Sequence, residues 1–173
     1  MASGRSLIGV AVVIPDPWGA ELERWRESFG DAQAGSIPTH ITLLPPTSVS
    51  DLLLDDVEEH LDRSAAAIGP FNVQLRGTGT FRPVSPVVFV ALASGISGCE
   101  ALEAEIRTGL LSRAVDFPYH PHVTVAHDLA DDVLDNAFAR LSDYTGRFTV
   151  SGFELYVHGD GAWHARRGFT LRG

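Results

Sequence analysis

The chain is poor in features that would mark it as secreted or membrane-bound. It has a single cysteine, Cys99, among 173 residues, which excludes an internal disulfide and favours a reducing compartment. Its longest apolar runs, at residues 7–14 and 87–93, are strand-sized and far too short to cross a bilayer. Residues 1–7 hold one arginine, and no apolar segment of adequate length for a signal peptide precedes Pro15. We therefore expect a cytoplasmic protein without a membrane segment.

Basic residues are also scarce. Thirteen Lys and Arg face 22 Asp and Glu, so the net charge is -9 and the pI is near 5.1. Such a surface repels long polyanions, which excludes an extended nucleic-acid binding surface but not a pocket for one phosphate. With 45% apolar residues the chain can bury a sizeable core, and we expect a single domain over residues 1–173 and a monomer.

The most informative feature is a four-residue pattern that occurs twice. His40-Ile41-Thr42-Leu43 and His122-Val123-Thr124-Val125 both read histidine, aliphatic, threonine, aliphatic. Alternate side chains of a strand share a face, so each copy presents an imidazole and a hydroxyl about 6–7 Å apart on one face. A single such pattern is usually a half-buried pair without chemistry, whereas two copies predict a shared site.

The predicted elements repeat in the same order around the two patterns. Residues 7–81 read strand, helix, motif strand, helix, strand, and residues 86–158 repeat that order before a closing strand at 163–171. Pro45 and Pro46 are predicted to stop the first motif strand, and residues 148–158 to form one strand. Two equivalent halves around a pseudo-two-fold axis would bring His40 and His122 face to face across a central cleft.

Two opposed imidazoles suit acid–base catalysis near neutral pH, because the ordinary pKa of histidine lies close to the working pH. One neutral ring can take a proton from water or a hydroxyl, while the other, protonated, gives one to a leaving oxygen. The hydroxyls of Thr42 and Thr124 can donate to phosphoryl oxygens as negative charge builds up on them.

Paired His-x-Thr-hydrophobic tetrapeptides in a duplicated chain of this length resemble the 2H phosphoesterase superfamily, and within it the bacterial 2′-5′ RNA ligase-like (LigT-like) cyclic phosphodiesterases. The resemblance covers nearly the whole chain, including residues 119–125, the turn at residues 79–83 and the closing hairpin. It implies an α+β, bilobal fold: two pseudo-symmetric lobes of mainly antiparallel sheet, with flanking helices, around a central cleft.

The same resemblance implies metal-independent opening of 2′,3′-cyclic phosphate ends during RNA processing, and it extends to 2′-5′ RNA ligation. His40 and His122 are then catalytic, Thr42 and Thr124 bind the phosphate, and no cofactor is expected. The expected partner is a nucleotide or an RNA terminus that bears a 2′,3′-cyclic phosphate.

The chain departs from the family pattern at one position. Several relatives carry an arginine five residues after the second motif histidine, where this chain has His127. Histidine is shorter and mostly neutral at pH 7, so it binds phosphate less well, and a surface histidine is the other interpretation. Phe81 and Tyr119 are candidates to stack on a nucleobase, or else belong to the core or the rim. Arg82 is a candidate phosphate or ribose contact, or else a solvated surface arginine, as a lone arginine usually is.

Two other functions fit the sequence. A metal-dependent hydrolase could use His120, His122 and His127, with Asp116 or Asp128 as the carboxylate that such sites usually recruit. A non-catalytic module could bind nucleotides or RNA ends in the same cleft, since fold alone does not prove activity. The presence of both histidines together with both threonines disfavours the second alternative, because a pure binder needs donors but not two proton-transfer groups.

Overall fold

The computed structural model describes residues 4–173 and contains eight strands and four helices. The strands are β1 (Arg5–Val13), β2 (His40–Ser50), β3 (Phe71–Thr80), β4 (Val87–Ser94), β5 (His122–His127), β6 (Thr145–Val150), β7 (Gly152–Gly159) and β8 (Ala162–Thr170). The helices are α1 (Trp18–Ser28), α2 (Leu54–Ala67), α3 (Ile96–Ile106) and α4 (Asp131–Arg140). Of the N-terminal stretch considered for a signal peptide, residues 1–3 lie outside the described residues.

All strands join one antiparallel sheet in the order β6-β3-β4-β5-β2-β1-β7-β8. The motif strands β2 and β5 lie side by side at its centre, where Ile41 pairs with Val123. We call β2, β1, β7 and β8 the first lobe, and β5, β4, β3 and β6 the second lobe. Helices α1 and α4 pack against β5, and α3 packs against β2 and β4. The α+β fold expected from the sequence is confirmed.

One strand of each half of the chain lies in the lobe of the other half. β3 belongs to the first half of the chain but pairs with β4, while β7 belongs to the second half but pairs with β1. The prediction of one strand over residues 148–158 was wrong, because the chain changes lobes at Ser151. Residues before it pair with β3, and residues after it pair with β1 and β8. The sheet must therefore curl until the ends of β6 and β7 meet.

The prediction that Pro45 and Pro46 end the first motif strand was also wrong, since β2 continues to Ser50. The pairing with β1 steps from Ile8 opposite Thr47 to Val10 opposite Leu44, so β2 carries one extra residue there. Both prolines fall inside this bulge, where their missing N–H groups break no regular pair of the ladder.

The hydrophobic core holds the motif strands from behind. Ile41, Leu43, Val123 and Val125 are all at most 2% exposed and pack within one buried cluster. Their alternation with His40, Thr42, His122 and Thr124, which are half-buried, leaves the polar face of the motifs toward the cleft. Among residues 4–173 no helix combines the length and the apolar character needed to cross a membrane.

Candidate active site

The register of the central strand pair places the four motif side chains together. Because Ile41 pairs with Val123 in antiparallel register, Thr124 lies alongside His40 and Thr42 alongside His122. Each imidazole therefore has a hydroxyl from the other half of the chain as its cross-strand neighbour. The arrangement has near two-fold symmetry.

Each motif histidine is oriented by a backbone carbonyl two residues earlier. His40 Nδ1 lies 2.8 Å from the Pro38 oxygen, and His122 Nδ1 lies 2.7 Å from the His120 oxygen. A carbonyl oxygen can only accept, so Nδ1 carries the proton in both neutral rings. The lone pair of each ring is then on Nε2, which is free to take a proton.

Burial lowers the pKa of both imidazoles below the ordinary histidine value. For His40, burial outweighs the opposing effect of the Pro38 carbonyl, and the charge of Arg26 lowers the pKa further. For His122, burial outweighs the His120 carbonyl, and the pKa is lowered further by His120 and His40. Both rings are therefore mostly neutral near pH 7, and a nearby negative charge would favour the protonated form of either ring.

The cleft over these strands consists of two adjoining cavities that share Thr42. The first, the His40 cavity, has a volume of about 330 Å³ and is also lined by Thr124, Arg26 and His127. The second, the His122 cavity, has a volume of about 490 Å³ and is mostly apolar. The hydroxyls of Thr42 and Thr124 make no hydrogen bond within residues 4–173, so both are available to a ligand.

A family model matches most of the chain. The model described as the 2′-5′ RNA ligase superfamily covers residues 14–162. The chain belongs to the 2′-5′ RNA ligase superfamily. The matched segment includes both motif strands and the whole lining of the His122 cavity. Four further residues of the His40 cavity lie outside it: Gly9, Val10, Ala11 and Trp163.

Relatives and solved structures agree with this membership. A protein of Oceanobacillus iheyensis, named as a candidate phosphoesterase, is 26% identical over 148 residues, which are 82% of this chain and 84% of the relative. A Bacillus cereus protein of the same designation is 27% identical over 146 residues, 82% and 83% of the two chains. Both relatives carry a phosphoesterase designation, and each aligns with more than four fifths of this chain.

The fold matches that of solved LigT structures. Escherichia coli LigT in its apo form superimposes with a TM-score of 0.69 at 18% identity, covering 99% of this chain and 100% of LigT. LigT complexed with 3′-AMP gives a TM-score of 0.68 at 20% identity, covering 97% and 99% of the two chains. At these identities the likeness shows a common fold.

Phe81 and Tyr119 both line the His122 cavity but differ in their contacts. The Phe81 ring meets the His122 ring edge-on, with centroids 4.9 Å apart, and also touches Phe89 at 4.6 Å. The Tyr119 hydroxyl donates to the Thr42 carbonyl oxygen at 2.8 Å, which ties the loop before β5 to β2. Each residue therefore holds a motif strand or ring in place as well as forming cavity wall.

Arg82 lies away from the motif residues. Its guanidinium pairs with Asp135 at 2.9 Å and with Asp131 at 3.6 Å, at the start of α4. The expectation of a phosphate or ribose contact is thus not supported, because Nη1 pairs with these two carboxylates of α4 instead. Arg82 also lines neither the His40 cavity nor the His122 cavity.

The three histidines of the metal-site alternative are not brought together. His120 and His122 line the His122 cavity, whereas His127 lines the His40 cavity. Over residues 4–173, no group of three or more His, Cys, Asp or Glu side chains has an arrangement able to hold a metal ion.

Sequence reasoning missed two groups of the superfamily member's cleft. Arg26 of α1 lines the His40 cavity, and so do Tyr156 of β7 and Trp163 of β8. A signal for Arg26 was present, because it follows Leu22 by four residues and so shares the buried stripe of α1. The aromatic pair had no local signal, since only the exchange of β7 into the first lobe brings it to the cleft.

Proposed function

We propose that this protein is a metal-independent phosphodiesterase that opens 2′,3′-cyclic phosphate ends of nucleotides or RNA by paired-histidine catalysis. The observation that carries the proposal is the arrangement at the centre of the sheet. Two neutral imidazoles with free Nε2 atoms and two unpartnered threonine hydroxyls share one cleft. A module that only bound nucleotides would need the hydroxyls but not two proton acceptors.

The proposed reaction needs one proton acceptor and one donor. A neutral motif histidine takes a proton from water as the water oxygen attacks phosphorus. The other histidine, protonated, gives its proton to the ribose oxygen as the P–O bond of the ring breaks. Thr42 and Thr124 donate to the non-bridging oxygens while their negative charge increases. The product is a nucleoside or RNA end with a 2′- or 3′-monophosphate.

The two cavities suit the two parts of such a substrate. The His40 cavity holds both threonine hydroxyls and suits the phosphate. The apolar His122 cavity suits the nucleoside, and Phe81 and Tyr119 are the proposed base-binding residues. The exposed side chains of Phe117 and Val84 also line this cavity. A nucleotide ligand is also supported by the similar LigT, which has been solved with 3′-AMP.

The proposal is tested by assaying the purified protein against the four nucleoside 2′,3′-cyclic monophosphates and a short RNA with a cyclic end, with and without EDTA. We expect monophosphate products in both conditions. The His40→Ala and His122→Ala variants should lose activity, while His164→Ala, which removes an exposed histidine outside both cavities, should keep it. Loss of activity with EDTA and recovery with zinc would overturn the metal-independent mechanism.

Ligation is tested with the same protein. RNA ends that carry a 2′,3′-cyclic phosphate are incubated with RNA ends that carry a 5′-hydroxyl. A longer product forms when the 5′-hydroxyl replaces water as the nucleophile that opens the ring. The same two histidines would serve, since ring opening by a ribose hydroxyl needs the same proton transfers as ring opening by water.

A further inference from the structure

Arg26 is the only arginine among residues 4–173 that is buried, with 7% of its surface exposed. It lies near the end of α1, and its Nε atom donates to Asp31 Oδ2 at 2.8 Å. The Asp31 carboxylate also accepts from the backbone N–H of His127 at 3.0 Å and of Gln33 at 2.8 Å. Asp31 therefore fixes Arg26 to the end of β5, where the motif strand leaves the cleft.

Only one edge of the Arg26 guanidinium is used by this network. Its Nη1 and Nη2 atoms have no hydrogen-bond partner within the part of the chain that the structure describes. In that part, every side-chain nitrogen or oxygen that is fully inaccessible to solvent has a hydrogen-bond partner. Since Nη1 and Nη2 have none, both atoms must be accessible from open space. The space is the His40 cavity, which Arg26 lines together with His40, Thr42 and Thr124.

The charge of this cavity favours an anion. No Asp or Glu side chain lines it, and Arg26 is its only arginine. Asp31, the counter-charge of Arg26, is 5% exposed and does not line the cavity. A guanidinium whose Nε is held by a buried carboxylate, and whose Nη1 and Nη2 atoms are free, is a rigid donor for phosphate oxygens.

We propose that Arg26 binds the substrate phosphate in the His40 cavity. This inference rests on the proposed function, because it concerns the phosphate of the same substrate. His127 lines the same cavity, and its backbone binds the carboxylate that holds Arg26. The guanidinium enters this cavity from α1.

The position of Arg26 also distinguishes the two histidines. After burial, which has the larger effect, the Arg26 charge lowers the pKa of His40, and it does not act on His122 in the same way. Before substrate binds, His40 is thereby held neutral and ready to accept a proton. Removing the charge should raise the pKa of His40, which NMR of the histidine ring signals can measure without any activity.

The test compares Arg26→Met with a matched control, Arg107→Met. Arg107 pairs through Nε with Glu103, which is 3% exposed, and lines neither cavity. Both variants thus remove a guanidinium from a buried carboxylate.

The readouts are kcat/KM on 2′,3′-cyclic AMP, inhibition by inorganic phosphate, and Tm. We expect Arg26→Met to lose about 10²-fold in kcat/KM, the range for one lost donor to a developing oxyanion. Phosphate inhibition should weaken at least about tenfold, and Arg107→Met should change neither value.

A rescue variant separates phosphate binding from structural support. In Arg26→Met/His127→Arg the guanidinium returns to the same cavity from β5, so at least about tenfold of the lost kcat/KM should return. Unchanged phosphate inhibition in a folded Arg26→Met protein would overturn the proposal. If Arg26→Met does not fold, Arg26→Lys decides, because it keeps the charge but not the second N–H edge. Weaker phosphate inhibition in Arg26→Lys supports the proposal, and unchanged inhibition refutes it.

Failure of this inference and failure of the proposed function give different results. A wild-type protein that is inactive on every cyclic phosphate refutes the proposed function, whatever the Arg26 variants do. A wild-type protein that is active, together with an Arg26→Met variant that is equally active and equally inhibited by phosphate, refutes the Arg26 assignment alone.

Discussion

Neither motif histidine has a carboxylate among the charges that act on its titration. The charge of Arg26 lowers the pKa of His40, and His120 and His40 lower the pKa of His122. Each Nδ1 atom is hydrogen-bonded to a neutral carbonyl oxygen. In a Ser-His-Asp triad the aspartate stabilises the imidazolium. In the cleft described here, the negative charge that would do so is that of the substrate phosphate, so protonation and binding should be coupled.

This coupling predicts a particular pH dependence. The reaction needs one neutral and one protonated ring, so kcat/KM should be highest between the two apparent pKa values of the free pair. Because burial lowers the pKa of both rings from about 6.5, that maximum should lie below pH 6.5. The bound phosphate raises both pKa values, so the maximum of kcat should lie at higher pH. Steady-state rates from pH 4.5 to 8.5 check this, and a kcat/KM maximum above pH 7.5 would contradict it.

Replacing the histidines should show that they act as a unit. His40→Ala and His122→Ala should each lower kcat by about 10²–10⁴, the range for a positioned proton-transfer group. The double variant should lose far less than the product of the two losses. Thr42→Ala and Thr124→Ala should cost less than either histidine, since other donors remain. Single-turnover rates measure all five variants, and full activity of either single histidine variant would refute the catalytic assignment.

At the scale of elements, Gly79 supports the aromatic cluster beside His122. Gly79 of β3 pairs with Phe89 of β4, and a Cβ atom on Gly79 would lie 2.5 Å from the Phe89 ring. Phe89 is 5% exposed and packs against Phe81 and His122, so its ring has little room to yield. Gly79→Ala should therefore displace the wall of the His122 cavity.

We expect Gly79→Ala to lower the free energy of unfolding by about 1–3 kcal/mol, as overpacking usually does, and to raise KM for 2′,3′-cyclic AMP. Gly159→Ala is the control, since a Cβ atom there meets nothing closer than 3.8 Å. Denaturant unfolding and steady-state kinetics test both variants. Equal stability and KM in the two would show that the cluster has no such role.

The sequence predicted the elements better than their partners. Continuous apolar runs were enough to predict β1 and β4, alternation was enough for β5 and the start of β2, and the buried stripe with Leu22 was enough for α1. Nothing local revealed that Ser151 separates strands of different lobes, because residues 145–159 are strand-like throughout. Pairing depends on contacts distant in sequence, and so does the place of Arg26 beside His40. The cavity wall formed by Trp163 was unpredictable for the same reason.

At the scale of the whole molecule, net charge limits how much nucleic acid the protein can hold. The charge is -9, and only Arg26 and Arg113 line the two cavities among the basic residues described. Activity should therefore depend on the terminal phosphate and one or two nucleotides. Each phosphate contact on a single strand contributes a slope of about −0.7 to a plot of log affinity against log salt.

We expect a slope no steeper than about −1.4, the value for two phosphate contacts, for an RNA of ten nucleotides with a cyclic end. The kcat/KM values for this RNA and for the cyclic mononucleotide should be comparable. Titrations between 50 and 500 mM salt, with both substrates in parallel, measure the slope and the ratio. A much steeper slope for the RNA alone would reveal an extended binding surface that the charge distribution does not suggest.

The exchange of β3 and β7 between the lobes also bears on how such a chain could arise. A lone first half would leave the β1 edge without a neighbour and β3 without the strand beside it. Two identical copies would resolve both defects by lending each other β3, as domain-swapped homodimers do. Joining those copies through the turn between β3 and β4 gives the six central strands of this sheet, to which β6 and β8 add one strand at each edge. A symmetric dimer must keep its two histidines identical, whereas a fused chain can surround one with Arg26 and the other with Phe81.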